Sequence, residues 1–318
     1  MFIIPITSLS KWIMNTPFVL PLLLATTRGM IRGIMGSYPS YIALCYRDWL
    51  KTQTIEFADR IEDSYSWLVS IPELYNRRAP GNTCLSAIRH GANGSIEKPI
   101  NNSKGCGGIM RVAPIGLYFG KSRATLEQID MIGAETAALT HGHELGYIPA
   151  AALVHIIHLL SHDDSFTVLS AVENSMSAIK SLFPDSKHMN ELQTLVQKAI
   201  TLSSLDMDDL DAIRELGEGW VAEETLAIAV YCAMKQPNDF DKALIASVNH
   251  SGDSDSTGAV TGNIMGAHLG HDAIPQKYTK YLELHDIIIE LADDLYNDCK
   301  ISEYSEYRDD VWERKYMR

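Results

Sequence analysis

Ala222-Glu223-Glu224-Thr225-Leu226-Ala227-Ile228-Ala229-Val230-Tyr231-Cys232-Ala233-Met234 decides the fold class of this chain. Two acidic residues open the run, where negative charge suits the positive end of a helix. Apolar residues then occupy several faces instead of one stripe, so the segment reads as a central helix packed on most sides. Working outward, helical spacing recurs over 126–140, 149–160, 166–182, 189–202 and 208–215, and again over 239–249, 257–269 and 278–298. Pro149 suits the first turn of its helix. Nearer the N-terminus, helices are expected over 40–50 and 56–71, the second with Trp67 and Leu68 inward. Residues 76–106 read as a long irregular stretch rich in Arg, Gly, Pro and Asn, and such loops are uncommon unless functional. No alternating strand pattern competes. The expectation is an all-α, single compact multi-helix domain over 28–298, with an unlike N-terminal segment (1–27) and a C-terminal tail (299–318).

Composition narrows the function classes. The chain has 318 residues, 46% hydrophobic and 21% charged, with a formal net charge of −13. No long Lys/Arg block offsets that charge, which argues against general nucleic-acid binding. The five cysteines are scattered without a CxxC pair, a pattern of free thiols in a reducing, cytoplasmic setting rather than of disulfides or zinc. The apolar run Phe18-Val19-Leu20-Pro21-Leu22-Leu23-Leu24-Ala25 is too short to span a membrane. Its prolines and flanks fit a signal peptide poorly.

The densest chemistry lies at His250-Ser251-Gly252-Asp253-Ser254-Asp255-Ser256-Thr257-Gly258. Carboxylate and hydroxyl oxygens are the ligands that Mg²⁺ prefers, so Asp253, Asp255 and Ser256 are candidate metal ligands at the start of a helix. The bland alternative is an Asp N-cap followed by polar residues. An EF-hand is ruled out because its twelfth position would be Ile264 where a bidentate Glu is needed. The second motif is Ser103-Lys104-Gly105-Cys106-Gly107-Gly108-Ile109-Met110-Arg111. Its glycines would let backbone N–H groups approach an anion, although a tightly packed helix crossing explains them equally well. Cys106 has no His near it in sequence to activate it, and reads as a small buried thiol. His141-Gly142-His143 falls at a helix end, where imidazole can meet the last carbonyls. His155, His158 and His162 have helical spacing without an HExxH motif, and read as partly buried helix residues. Glu223-Glu224 reads first as a helix-start pair, with one of the two able to line a pocket.

Together these motifs resemble the ADP-ribosylglycohydrolase family, the dinitrogenase-reductase-activating glycohydrolase-like enzymes. The resemblance runs through Ala79-Pro80-Gly81-Asn82-Thr83-Cys84, residues 103–116, Gly217-Glu218-Gly219-Trp220-Val221-Ala222-Glu223-Glu224, and residues 250–266. It implies an all-helical fold with two Mg²⁺ ions in a central cleft, and hydrolysis of the bond between ADP-ribose and a protein side chain or small molecule. Asp253, Asp255 and Ser256 match the family's C-terminal metal ligands, and the two aspartates are the implied catalytic residues. Gly105, Cys106, Gly107, Gly108, Met110 and His141 fall to substrate binding. The implied partners are ADP-ribose or an ADP-ribosylated protein, with no membrane involved.

One departure matters. The acidic pair that the family carries ahead of its core-entering helix should fall near Phe18-Val19, yet no carboxylate precedes Asp48. One of the two Mg²⁺ sites is therefore expected to be lost. The alternative to an active hydrolase is a catalytically weak ADP-ribose-binding or immunity-type protein, one that blocks or recognises an ADP-ribosyltransferase system.

Overall fold

The computed structural model describes residues 36–60, 63–120, 124–297 and 310–316, so readings made on residues 1–35 lie outside it. Fourteen α-helices and five short 3₁₀ turns make up the described residues, and one isolated bridge between Gly105 and Val221 is the sole extended pairing among them. In chain order the helices are α1 (Tyr38–Thr54), α2 (Asn82–Arg89), α3 (Ala113–Tyr118), α4 (Leu126–Ala138), α5 (Glu144–His162), α6 (Val168–Leu182) and α7 (Met189–Ser203). They continue as α8 (Asp209–Leu216), α9 (Ala222–Lys235), α10 (Phe240–Val248), α11 (Ser254–Leu269), α12 (Gln276–Thr279), α13 (His285–Asn297) and α14 (Asp310–Tyr316).

The centre is built from α5, α9 and α11, which pack on one another. Helix α9 is inaccessible to solvent from Leu226 through Ala233, as its many-sided apolar pattern requires. Burying each Leu, Ile or Val there stabilises the fold by roughly 1.5–3 kcal/mol. Helix α5 is long and apolar enough by composition to cross a membrane, but its neighbours are α3, α4, α6 and α9, and residues 145–160 are all buried.

Local signals set most helix starts. Thr125 and Gln128 form a capping box on α4, Asp208 accepts from the Leu210 N–H at α8, and Asp239 from the Lys242 N–H at α10. Each supplies an acceptor to an otherwise orphaned amide.

Four expectations need correction. The helix expected over 56–71 is replaced by 3₁₀ turns at Phe57–Asp59 and Trp67–Ser70. Buried Asp48 captures the Tyr65 and Ser66 amides at 2.6 and 2.8 Å, a tertiary bond that competes with helix formation. The stretch over 76–106 is not wholly irregular, because α2 lies within it. Pro149 sits inside α5, which begins five residues earlier under a His143 cap; surrounding burial outweighs the one lost backbone bond. The C-terminal helix expected over 278–298 splits into α12 and α13, with Leu284 at φ +61° between them. Beyond it, α14 returns to α13: Tyr316 Oη donates to Asp294, and Lys315 pairs with Glu290 and Asp294.

Candidate functional site

Three loops meet at the N-terminal ends of α9 and α11. The 103–108 loop is stitched to the 217–222 loop by Cys106 N–H donating to Trp220 O (3.2 Å) and Ala222 N–H donating to Lys104 O (2.9 Å). The 217–222 loop is joined in turn to the α11 start, where Asp253 N–H donates to Glu218 O at 2.7 Å. Glu224 clamps the middle loop by accepting from the Glu218 and Gly219 amides, both at 3.0 Å. That close turn needs Gly217 at φ +126°, where a Cβ would lie 2.4 Å from Glu224 Cδ. Glu223, the other member of the pair, is buried and paired with Lys104.

These loops form one side of a cavity of about 280 Å³. Trp49 and Gln53 of α1 line another wall, and residues 78–84 before and within α2 a third. Gly105, Cys106, Gly107, Met110, His141, Asp253, Asp255 and Ser256 all border this one space. Gly108 does not. A Cβ there would meet Gly146 O at 3.1 Å and Ala137 Cβ at 3.3 Å, so its role is close packing of the loop on α4 and α5. Nor does the loop offer its amides evenly. The Gly105 N–H is already bonded to Ser103 Oγ (3.3 Å) and the Cys106 N–H to Trp220 O. Of the two cavity-lining glycines in this loop, Gly107 is the one whose N–H has no acceptor among the described residues.

The acidic end is tightly wired. Asp253 Oδ2 accepts from Cys106 Sγ at 2.9 Å and from Ser256 Oγ at 2.8 Å, and Ser256 Oγ also lies 3.1 Å from Met110 Sδ. Burial and the neighbouring Asp255 carboxyl push the Asp253 carboxyl up to about 6. Burial, with Asp253 beside it, drives the Cys106 thiol far above its ordinary value. Cys106 is thus held as a thiol that donates a hydrogen bond to Asp253, which disfavours the thiolate a nucleophile needs. Asp253 is held at its backbone rather than acting as a side-chain cap, since no cap hydrogen bond forms at the start of α11. His250 props the turn, accepting from the Gly252 N–H at Nδ1 (3.1 Å) and reaching Thr257 Oγ1 from Nε2 (2.9 Å).

A carboxyl whose proton affinity is raised by burial and by a neighbouring carboxyl, as that of Asp253 is by Asp255, marks a site that a cation would relieve. Asp253, Asp255 and Ser256 supply three hard oxygens, a partial coordination shell for one Mg²⁺ with water or ligand completing it. No group of three or more His, Cys, Asp or Glu is arranged for a metal among the described residues. Across the cavity Asp48 does not help, because its carboxylate is turned to the Tyr65 and Ser66 amides and to Lys51. Among the described residues, the oxygens of Asp253, Asp255 and Ser256 would suit one ion.

Sequence reasoning missed Trp49 and Gln53, which carry no motif and reach the cavity only because α1 crosses it. It read Trp220 as part of a motif rather than as a cavity residue. Trp220 is 57% exposed at the rim, and the signal the sequence held for it was an indole directly after Gly217-Glu218-Gly219.

The ADP-ribosylglycohydrolase family model matches residues 20–304, and the chain belongs to that family. Among curated proteins it is similar to ADP-ribosylhydrolase ARH3 of Homo sapiens, 26% identical over 225 residues that cover 61% of this chain and 58% of that one. The Bos taurus ARH3 is likewise 26% identical, with 61% and 58% covered. An uncharacterised protein of Archaeoglobus fulgidus is 30% identical over 192 residues, with 60% and 57% covered. The match thus spans under three-fifths of the length of these relatives. A solved ADP-ribosylglycohydrolase-related protein complex shares the fold, with a TM-score of 0.50, 19% identity, and 87% of this chain and 79% of that chain covered.

Proposed function

We propose that this protein hydrolyses an ADP-ribosyl glycosidic bond with one Mg²⁺ held by Asp253, Asp255 and Ser256. The observation that carries the reading is the paired Asp253 and Asp255 carboxyls facing a glycine-lined cavity in a chain of this family. When bound, the ion would supply a Lewis acid for ribose hydroxyls and water. Asp253 and Asp255 would offset the positive charge that develops on the sugar as the glycosidic bond breaks. The Gly107 N–H would donate to a diphosphate oxygen. Trp220, at the rim, would cover the ligand's exposed face, and Cys106 and Ser256 would fix the Asp253 carboxylate by donating to it.

The single acid pair supports a second reading, in which the chain binds ADP-ribose or an ADP-ribosylated protein without turning it over. One assay separates the two: Mg²⁺-dependent release of ADP-ribose from a modified protein. Release that EDTA abolishes is expected, and Asp255→Ala should abolish calorimetric Mg²⁺ binding. Retained ADP-ribose binding with no release would establish the binding reading, and unchanged Mg²⁺ affinity in Asp255→Ala would remove the metal assignment.

A further inference from the structure

Arg111 is a buried cation without a counter-charge among the described residues. It is 2% exposed, yet no carboxylate among the described residues pairs with its guanidinium. Nη1 donates to Cys84 Sγ (3.4 Å), Nη2 donates to Thr140 Oγ1, Nε has no acceptor, and the group lies 4.4 Å from the centre of the Tyr46 ring. Arginine stays protonated in proteins. Burying a charge without an opposite charge beside it is costly, so the retention of Arg111 asks for a use beyond packing.

What it touches points to the cavity. Cys84 and His141 are cavity residues, and Thr140 joins Arg111 to His141. Thr140 Oγ1 carries one hydrogen and has two candidate acceptors, His141 Nδ1 at 2.8 Å and Ala137 O at 3.4 Å. The shorter contact takes it. With Thr140 Oγ1 donating over the shorter contact, Nδ1 is the acceptor and Nε2 carries the ring hydrogen, the tautomer that the proposal below takes and its test reads directly. Nε2 lies 3.5 Å from where a Gly105 Cβ would be and 3.4 Å from where a Gly107 Cβ would be. It has no hydrogen-bond partner among the described residues, in a side chain only 2% exposed.

We propose that Arg111 is a positioning residue which, through Thr140, holds His141 as a neutral Nε2–H donor aimed at an anionic oxygen of the ligand, while its own charge makes the cavity floor attractive to that anion. The ligand chemistry is a diphosphate, and in this the inference rests on the ADP-ribose reading above. The opposing view is that Arg111 only fills the core over Tyr46.

The test has two arms. Imidazole ¹⁵N shifts of the wild-type protein should show His141 as the neutral Nε2–H tautomer throughout pH 5–8, and Thr140→Val should disturb that signature. An Nδ1–H tautomer or an imidazolium in the wild type would overturn the proposal whether or not ADP-ribose binds. In the second arm, calorimetry with ADP-ribose should show Arg111→Met weakened ten- to hundredfold, as expected for losing a charge-assisted interaction. Arg111→Lys, which keeps the charge, should retain most of the affinity. Arg111→Met should melt no lower than wild type, because no carboxylate is left unpaired. Wild-type affinity in Arg111→Met, or equal losses in the Met and Lys variants, would leave only the packing role. Should Arg111→Met fail to fold, packing is its role, unless Thr140→Val folds and loses both the tautomer and the affinity. A wild type that binds no ADP-ribose would remove the functional reading, leaving the ¹⁵N arm to decide this one.

Discussion

Gly252→Ala is the sharpest probe of how the acidic site is held. The Gly252 Cα faces the 217–222 loop so closely that an added Cβ would sit 1.9 Å from Glu218 O and 2.6 Å from Glu218 C. Both are backbone atoms, and the same carbonyl accepts from the Asp253 N–H at 2.7 Å. Neither side can yield by a rotamer change, so the two loops must separate by more than an ångström. That breaks the Asp253–Glu218 bond, worth about 0.5–1.5 kcal/mol net, and adds an overpacking cost of about 1–3 kcal/mol. The sum is roughly 2–4 kcal/mol. At about 2.1 cal/mol/K per residue of unfolding entropy, this lowers Tm by roughly 3–6 °C. Asp253 moves with the loop, so Mg²⁺ affinity should fall by more than tenfold although no ligand atom is changed. Differential scanning calorimetry and a Mg²⁺ titration on the same sample read both effects. A variant with wild-type Tm and wild-type Mg²⁺ affinity would refute the claim that the 217–222 loop positions Asp253.

Two further outcomes follow from other parts of the molecule. Burial, with Arg111 nearby, depresses His141 to about 3. The unfolded chain therefore takes up a proton below about pH 6.5 that the folded one refuses, and this contribution to stability is lost as pH falls from there toward 3. Between pH 6.5 and 5 the wild type should lose about 2 kcal/mol more than His141→Gln in urea unfolding, at about 1.4 kcal/mol per pH unit; parallel pH profiles would sink this. In α11 a Cβ on Gly262 would meet nothing within 4 Å. Gly262→Ala should therefore stabilise the helix by about 0.5–1 kcal/mol without altering Mg²⁺ binding, and a lower melting temperature would show that the apparent space beside α11 is occupied.

Much of the fold was legible because helix formation is local and periodic. The 222–234 run carried its own burial on every face, and Thr125, Asp208 and Asp239 marked helix starts within three residues of the amides they cap. The acidic motif was legible for the same reason: Asp253, Asp255 and Ser256 border one cavity because they are neighbours at one helix start. Residues 56–71 misled because their apolar spacing suits a helix, whereas Asp48 takes the amides of Tyr65 and Ser66 from a distance in sequence that no window covers. Pro149 misled because burial inside the domain overrides its local preference.

The sequence by itself determined the class of fold and one acid pair, since both arise from residues close along the chain. Only the tertiary structure decided what those residues do. It paired Cys106 with Asp253 and so made a hydrogen-bond donor of a thiol, kept Gly108 off the cavity wall, turned Asp48 away from the cavity and brought Trp49 and Gln53 to its wall. It also joined a buried arginine to His141 through Thr140. The physical reason is the same throughout: protonation, hydrogen-bond direction and access depend on distances and burial across separate helices, and these exist only once the helices have packed.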